Sequence, residues 1–147
     1  MRVNRILVGL DGSEGADRAL EWAATLARDL NTDVIAICAV PIPTVYSPAG
    51  IPFPIDDTRD RAELRAVLDD QWCAVLRKME IPYRAIVEVG SPADVIMQVA
   101  DREKAQLIVV GSRGRGGFRG LLLGSVGQQL THHSTRPIVI VPAHENH

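Results

Sequence analysis

The sequence has few cysteines and few lysines, and it has no long hydrophobic run. Its two cysteines, Cys38 and Cys73, lie far apart and outside any CxxC or CxxH pattern. This predicts two reduced, core-facing thiols rather than a disulfide framework or a zinc site. No apolar run approaches the roughly 18 residues of a membrane span, and the first residues lack the apolar region of a signal peptide. We expect a soluble, cytoplasmic protein without membrane contact.

A surplus of basic charge is also missing. Sixteen Lys and Arg residues stand against eighteen Asp and Glu, which gives a net charge of −2. Dedicated nucleic-acid binders usually carry a basic surplus, so no nucleic-acid partner is expected. A length of 147 residues suits one domain with a single core. We expect residues 1–147 to form that one domain, with a core over about 3–142 and a frayed tail at 143–147.

Short apolar runs alternate with segments of helical period. The runs are typical of strands buried on both faces: 5–10, 33–40, 83–90, 106–111 and 137–142. Helices are predicted after Ser13 as far as Asn31, from Thr58, from the "SPAD" sequence at 91–94, and over 125–134. Strands that alternate with helices predict a parallel sheet with helices on both faces, and ligands bind beyond the carboxyl ends of such strands.

Two features lie outside this alternation. Residues 41–56 contain five prolines, so no regular structure is expected there, and so long a loop is usually functional or mobile. The aromatic residues Trp22, Trp72 and Phe118 are interpreted as packing residues.

A glycine- and arginine-rich segment follows the fourth predicted strand: "GSRGRGGFRGLLLGSV" at 111–126. A flexible linker is one interpretation, but "FRGLLLG" is too apolar for a solvated tether. An RNA-binding Arg/Gly tract is a second, but such tracts normally repeat in disordered tails. A phosphate-binding loop is the third, because glycines let backbone N–H groups converge on oxyanions and a helix start adds its dipole.

The spacing within this segment separates it from the common phosphate motifs. Neither G-x-x-x-x-G-K-[ST] nor a G-x-G-x-x-G after the first strand is present. The pattern is Gly111-x2-Gly114-x9-Gly124-Ser125. It resembles the G-x2-G-x9-G-[ST] motif of the ATP-binding branch of the universal stress protein family. "ILVGLDGS", "SPADVI" and "PIVIVP" also resemble family hallmarks, in the family's order, over roughly residues 3–142.

The resemblance implies a five-stranded parallel sheet of order 3-2-1-4-5, a Rossmann-like fold of the adenine nucleotide alpha hydrolase type. It implies that ATP, with Mg2+ bridging the phosphates, lies across the carboxyl edge. The implied contacts are Leu10 and Asp11 at the adenosine, the Val40 backbone at the adenine edge, Gly111, Arg113 and Gly114 at the ribose and first phosphates, and Gly124, Ser125 and Val126 at the terminal phosphates.

Several of these residues have structural interpretations as well. Asp11 can brace the first turn, Ser125 can cap a helix, and Arg115 and Arg119 can be solvated loop charges. No metal site is assigned to the histidines, because adjacent His132 and His133 are about 100° apart on a helix.

The segment offers no Glu, Gln or His to position an attacking water, so no catalytic residue is assigned. The resemblance implies an ATP-binding regulatory module for stress or growth-arrest adaptation. The alternatives are a slow intrinsic ATPase and a dimeric interaction protein that binds no nucleotide. The resemblance also implies a homodimer through Pro137–Pro142, and this apolar edge strand is a liability unless it is paired or covered.

Overall fold

A computed structural model describes residues 2–54, 58–114 and 123–142. Within them the strands are β1 (Arg5–Gly9), β2 (Asp33–Val40), β3 (Thr44–Tyr46), β4 (Pro52–Pro54), β5 (Tyr83–Val89), β6 (Leu107–Gly111) and β7 (Ile138–Val141). The α-helices are α1 (Glu14–Leu30), α2 (Thr58–Val67), α3 (Ala74–Lys78), α4 (Pro92–Arg102) and α5 (Ser125–His133), and a π-helical turn spans Leu68–Trp72. None of the helices in these described ranges is both long and apolar enough to cross a membrane.

The main sheet has five strands in the order β5-β2-β1-β6-β7, and all four pairings are parallel. Counted along the chain, these five strands have the order 3-2-1-4-5, so the predicted fold class is confirmed. The order of the strands reverses at β1: β2 and β5 lie on one side of it, and β6 and β7 lie on the other. The carboxyl ends of β1 and β6 therefore flank the switch point at which such folds bind ligands.

Helices cover both faces of the sheet. Ile6 and Val8 of β1 face a cluster that includes the alanines and Leu20 of α1 together with Leu68 and Leu76. Leu7 of the same strand faces the opposite cluster, to which α4 and α5 contribute. Alternate residues of a strand point to opposite faces, so a strand covered on both sides is a continuous apolar run.

The predicted helix boundaries are largely confirmed. The Ser13 hydroxyl accepts a hydrogen bond from the Ala16 N–H at 3.2 Å and so caps α1, while Asn31 ends that helix in the left-handed conformation, with φ 52°. Ser91 is the residue that precedes α4, and its hydroxyl donates to Asp94 at 2.8 Å. Both cysteines are buried, as predicted, and neither is in a disulfide.

Three expectations are wrong. Residues 41–56 are not wholly irregular, because β3 and β4 form an antiparallel hairpin within them; proline is tolerated in such edge strands. The helix predicted from Thr58 is interrupted by the π-helical turn. Trp22 is not a buried packing residue, since 41% of it is exposed on α1. Trp72 does pack against the core, and Phe118 lies outside the described residues.

Candidate functional site at the carboxyl edge

A cavity of about 460 Å³ opens at the carboxyl ends of β1 and β6. It lies at the predicted switch point and is bounded by the first residues of α1, α4 and α5. Its volume is in the range of small-molecule sites. The described residues that line it are Gly9, Leu10, Asp11, Ser13, Ala16, Ile37, Ala39, Pro92, Ile96, Val110, Gly111, Ser112, Arg113, Gly114, Gly124, Ser125, Val126 and Gly127.

The lining divides into two parts of different chemistry. Leu10, Ile37, Ala39, Pro92 and Ile96 present apolar side chains from the strand ends and α4. The segment 111–114 and the start of α5 contribute glycines, the serines Ser112 and Ser125, and Arg113. This arrangement suits a ligand with a flat apolar end and an anionic end.

The start of α5 is held against the end of β6 by the backbone. The Gly124 N–H donates to the Ser112 carbonyl at 2.6 Å, and the Ser112 N–H donates to Val141 at 2.9 Å. Gly124, not Ser125 as predicted, is the N-cap of α5. The N–H groups of the first helical residues have no acceptor within the helix. Those of Ser125, Val126 and Gly127 therefore stand at the cavity beside the positive end of the helix dipole.

Gly114 lies against the carboxylate of Asp11. A Cβ on Gly114 would stand 2.4 Å from Asp11 Oδ2, so no other residue fits without moving that side chain. The other carboxylate oxygen, Oδ1, accepts a hydrogen bond from the Ser13 N–H at 2.9 Å. Asp11 thus braces the first turn, as expected, and also contacts the loop after β6.

Gly111 has a different role. Its Cβ would stand 2.7 Å from the Gly15 carbonyl oxygen, which is part of the α1 backbone. A Cβ on Gly15 would likewise stand 2.6 Å from the Arg113 carbonyl oxygen. These two glycines allow close backbone contact between α1 and the end of β6, so Gly111 has a role in packing as well as at the cavity.

Acidic residues cluster on the first turns of α1, next to the cavity. The pKa of Asp17 is raised, first by desolvation and then by the neighbouring carboxylates of Glu21, Asp11 and Glu14. Asp11 is the one acidic residue among the described lining residues. No cluster of three or more His, Cys, Asp or Glu suited to a metal occurs within the described ranges.

The structure brings most of the predicted site residues together. Eight of them line the cavity: Leu10, Asp11, Gly111, Arg113, Gly114, Gly124, Ser125 and Val126. Val40 does not; Ala39 lines the cavity instead, and the Val40 carbonyl accepts a hydrogen bond from the Gly90 N–H at 2.8 Å. Arg115 and Arg119 lie outside the described residues.

Sequence reasoning missed the apolar wall formed by Ile37, Ala39 and Ile96. The position of Ile37 and Ala39 near the end of a predicted strand was an available signal, because strand ends converge at one edge of a parallel sheet. Ile96 had no such signal, since it is an ordinary apolar position of an amphipathic helix.

The fold and this cavity define a doubly wound α/β protein with a glycine-lined site at the switch point of its sheet. The chain belongs to the universal stress protein family, whose model matches residues 2–142. A universal stress protein of Mycobacterium tuberculosis is 34% identical over 136 residues, which cover 92% of this chain and 44% of that protein. The chain thus spans less than half the length of this relative.

Other comparisons cover almost the full length of both chains. Universal stress protein YxiE of Bacillus subtilis is 29% identical, with 94% of this chain and 98% of YxiE covered. The structure of UspA from Lactobacillus plantarum has the same fold, with a TM-score of 0.76 at 20% identity over 96% and 99% of the chains. A universal stress protein in complex with cAMP matches with a TM-score of 0.71 at 26% identity over 97% and 98%.

Proposed function

We propose that the cavity at the carboxyl edge binds ATP and that the chain is a nucleotide-dependent regulatory module in stress or growth-arrest adaptation. The observation that carries this proposal is the convergence of Gly111–Gly114 and the start of α5 beside an apolar wall. A related universal stress protein has been solved with cAMP, which also joins an adenine to a phosphate group.

The phosphates lie on the side of α5 in this proposal. The donors proposed at this end of the cavity are the N–H groups of Ser125 and Val126, the Ser125 hydroxyl and Arg113, whose residues all line it. Charge-assisted hydrogen bonds from such groups are the strongest that proteins make to phosphate. The base packs against the apolar side chains of Ile37, Ala39 and Ile96. Contact of this kind needs no polar side chain.

Mg2+ fits the site as an ion held mainly by the ligand. Mg2+ usually keeps several waters and binds phosphate oxygens with one or two carboxylates. Asp11 is the carboxylate that the described lining offers, and the ion would neutralise phosphate charge beside it. The ion is therefore expected to accompany ATP rather than to bind the protein alone.

Hydrolysis is slow or absent in this proposal. Turnover needs a group that positions or deprotonates the attacking water. The described lining holds no Glu, Gln or His, and Asp11 is engaged with the Ser13 N–H and packed against Gly114. Multiple turnovers in a phosphate-release assay would favour the alternative, a slow ATPase.

The decisive experiment combines nucleotide release with a charge placed at the loop. Freshly purified protein is denatured and the supernatant is analysed for adenine nucleotide, and ATP affinity is measured by calorimetry. Gly114→Asp places a second carboxylate against Asp11 and the phosphates, so ATP affinity should fall at least 100-fold. Ala74→Asp, at an exposed position of α3, adds the same charge away from the cavity and should bind as the parent does.

The result that contradicts ATP binding is equally clear. Absence of released nucleotide, together with no calorimetric signal and no effect of ATP on the melting temperature, would leave the dimeric interaction protein as the better function.

The proposed module is a homodimer that pairs through β7. This strand lies at the edge of the main sheet and pairs only with β6 along its described length. Its apolar sequence, IVIV, is a favourable strand edge for pairing. Val139→Asp should abolish the part of the self-association that depends on β7 in sedimentation, whereas unchanged association would contradict pairing through β7.

A further inference from the structure

The hairpin formed by β3 and β4, together with Ile42 just before it, carries large apolar side chains that are exposed. Tyr46 is 71% exposed, Ile51 63%, Ile42 61%, Phe53 46% and Val45 36%. Apolar side chains grouped in this way mark surfaces that contact another molecule. The wall of the nucleotide cavity includes none of these residues, so the surface is separate from the proposed ATP site.

The hairpin is also free of charge. The sequence from 34 to 55 contains no Asp, Glu, Lys, Arg or His, although 23% of the chain is charged. A charged partner or an anionic lipid surface would be recognised through charges of opposite sign, and this segment has none. An uncharged apolar surface can meet its own copy across a two-fold axis, because no like charges are then brought together.

The two edges of the hairpin differ in what they can bind. The register pairs Val45 with Phe53, and the prolines of β4 stand opposite Thr44 and Tyr46. The Ser47 N–H donates to Ile51 at 2.9 Å, and ladder bonds in an antiparallel pair recur at every second residue. The bonded pairs are therefore at Ser47 and at Val45, where no proline stands opposite.

The backbone groups of Pro52 and Pro54 therefore face away from β3, toward the outer edge of β4. Proline has no N–H to donate there. The outer edge of β4 is thus closed to another strand. On β3 the outward positions are Thr44 and Tyr46, which keep their N–H and carbonyl groups. The hairpin has one edge that can accept a strand.

We propose that β3 pairs antiparallel with β3 of a second copy, with Val45 on the two-fold axis. The backbone of Thr44 in each copy then forms hydrogen bonds with the backbone of Tyr46 in the other copy. The two hairpins thus form one four-stranded ribbon. Two strands alone are marginally stable in water, and four with an apolar face are better able to persist. Because β4 cannot accept a strand, this ribbon contains no more than two hairpins.

Engineered cysteines test the register. In this pairing the two Val45 residues form a non-hydrogen-bonded pair, whose Cα atoms stand about 4.5 Å apart, a separation that permits a disulfide. Val45→Cys should form a covalent dimer within minutes under mild oxidation. Thr44→Cys is the matched control, because Thr44 faces Tyr46 of the other copy and should cross-link at least tenfold more slowly. Both native cysteines are buried and should contribute no background.

A charge variant tests the same interface without oxidation. Val45→Lys brings two like charges together at the axis and should weaken self-association at least tenfold in sedimentation equilibrium. Thr25→Lys, at an exposed position of α1, should leave association unchanged. The cross-linking readout is independent of β7, because a disulfide at position 45 requires the β3 strands to meet. The sedimentation experiment is made independent of β7 by using the Val139→Asp background for the parent and for both lysine variants.

Two results overturn the proposal. One is equal or absent cross-linking at positions 44 and 45, as expected if the hairpin folds over the cavity or binds a different protein. The other is unchanged self-association of Val45→Lys, with a circular dichroism spectrum like that of the parent.

Discussion

The two edges of the main sheet are built in opposite ways. At the carboxyl edge the chain presents glycines, helix N–H groups and a cavity. At the amino edge, side chains satisfy one another: Arg5 makes two hydrogen bonds to Asp33, at 2.9 and 3.0 Å, and donates to the Glu103 carbonyl at 3.0 Å. Gln106 accepts the backbone N–H groups of Asn4 and Arg5, each at 2.9 Å.

This difference separates binding from stability. A donor that is already paired within the protein cannot serve a ligand, whereas an orphan helix N–H can. We therefore expect substitutions at the amino edge to change the free energy of unfolding, and most substitutions at the carboxyl edge to change ligand affinity. The variants below test this separation, starting with the one expected to break it.

Gly111→Ala is the exception at the carboxyl edge and should have the largest effect. Its Cβ would meet the Gly15 carbonyl oxygen at 2.7 Å, and backbone cannot move as a side chain does. Overpacking of this kind costs about 1–3 kcal/mol. Urea unfolding should show that loss. Gly124→Ala, whose Cβ would meet nothing closer than 3.4 Å, should lose less than half as much.

Asp33→Ala measures the contribution of the amino edge. It removes the two hydrogen bonds that the Arg5 guanidinium donates to Asp33 and leaves the one to the Glu103 carbonyl. The pKa of Arg5 is raised chiefly by the bond to Asp33. Because both side chains are 33% exposed, the expected loss of unfolding free energy is only about 1 kcal/mol. Asp29→Ala breaks an ion pair with side chains 60% and 63% exposed, and should change stability by less than about 0.3 kcal/mol. A reduced ATP affinity in Asp33→Ala would contradict the separation.

The sequence was sufficient to predict the sheet, and the reason is physical. A parallel strand covered on both faces is a short continuous apolar run, and β1, β2, β5, β6 and β7 all lie within the predicted runs. The convergence of Gly111, Gly114 and Gly124 was predictable for a similar reason, because a fixed spacing of glycines before a helix start is a pattern that the sequence itself carries. Gly111, Gly114 and Gly124 indeed lie at one cavity.

What was missed depends on geometry that local sequence does not encode. Ala39 and Val40 are neighbours on β2, and which one faces a cavity depends on a one-residue register. Proline density excluded a helix at 41–56 but did not exclude two edge strands. The π-helical turn inside a segment of regular helical period left no pattern that distinguishes it from an α-helix.

Cys73 provides an independent comparison of the two edges. Burial raises the pKa of its thiol to about 12, and the side chain is fully buried, so alkylation at pH 8 requires opening of the structure. Asp33→Ala should accelerate alkylation about fivefold, which corresponds to a loss of about 1 kcal/mol. Ser125→Ala should leave the rate unchanged. Mass spectrometry of the Cys73 peptide gives the rate, and equal acceleration in both variants would mean that the edges are coupled.

The same thiol predicts how stability depends on pH. Its folded pKa is raised above the value in an unfolded chain, so the unfolded state loses its proton first as the pH rises. The parent should therefore lose stability between about pH 9 and 12 relative to Cys73→Ala, and the two should show the same slope below about pH 8. Parallel slopes throughout would show that the thiol ionises in the folded state as readily as in the unfolded one.

Ser125→Ala should have the smallest effect, and it distinguishes most clearly between a role in binding and a role in stability. In the proposed ATP complex the hydroxyl is one phosphate donor among several, since the backbone N–H groups of α5 remain, so ATP affinity should fall only about 3- to 10-fold. Because Gly124 rather than Ser125 is the N-cap, unfolding free energy should change by less than about 0.5 kcal/mol. Thr131→Ala, on the same helix with its hydroxyl bonded to the Gln128 carbonyl, is the control and should retain ATP affinity. If Ser125→Ala instead lost stability and kept its affinity, the hydroxyl would be part of the scaffold, and the division between the two edges would fail at the helix that defines the site.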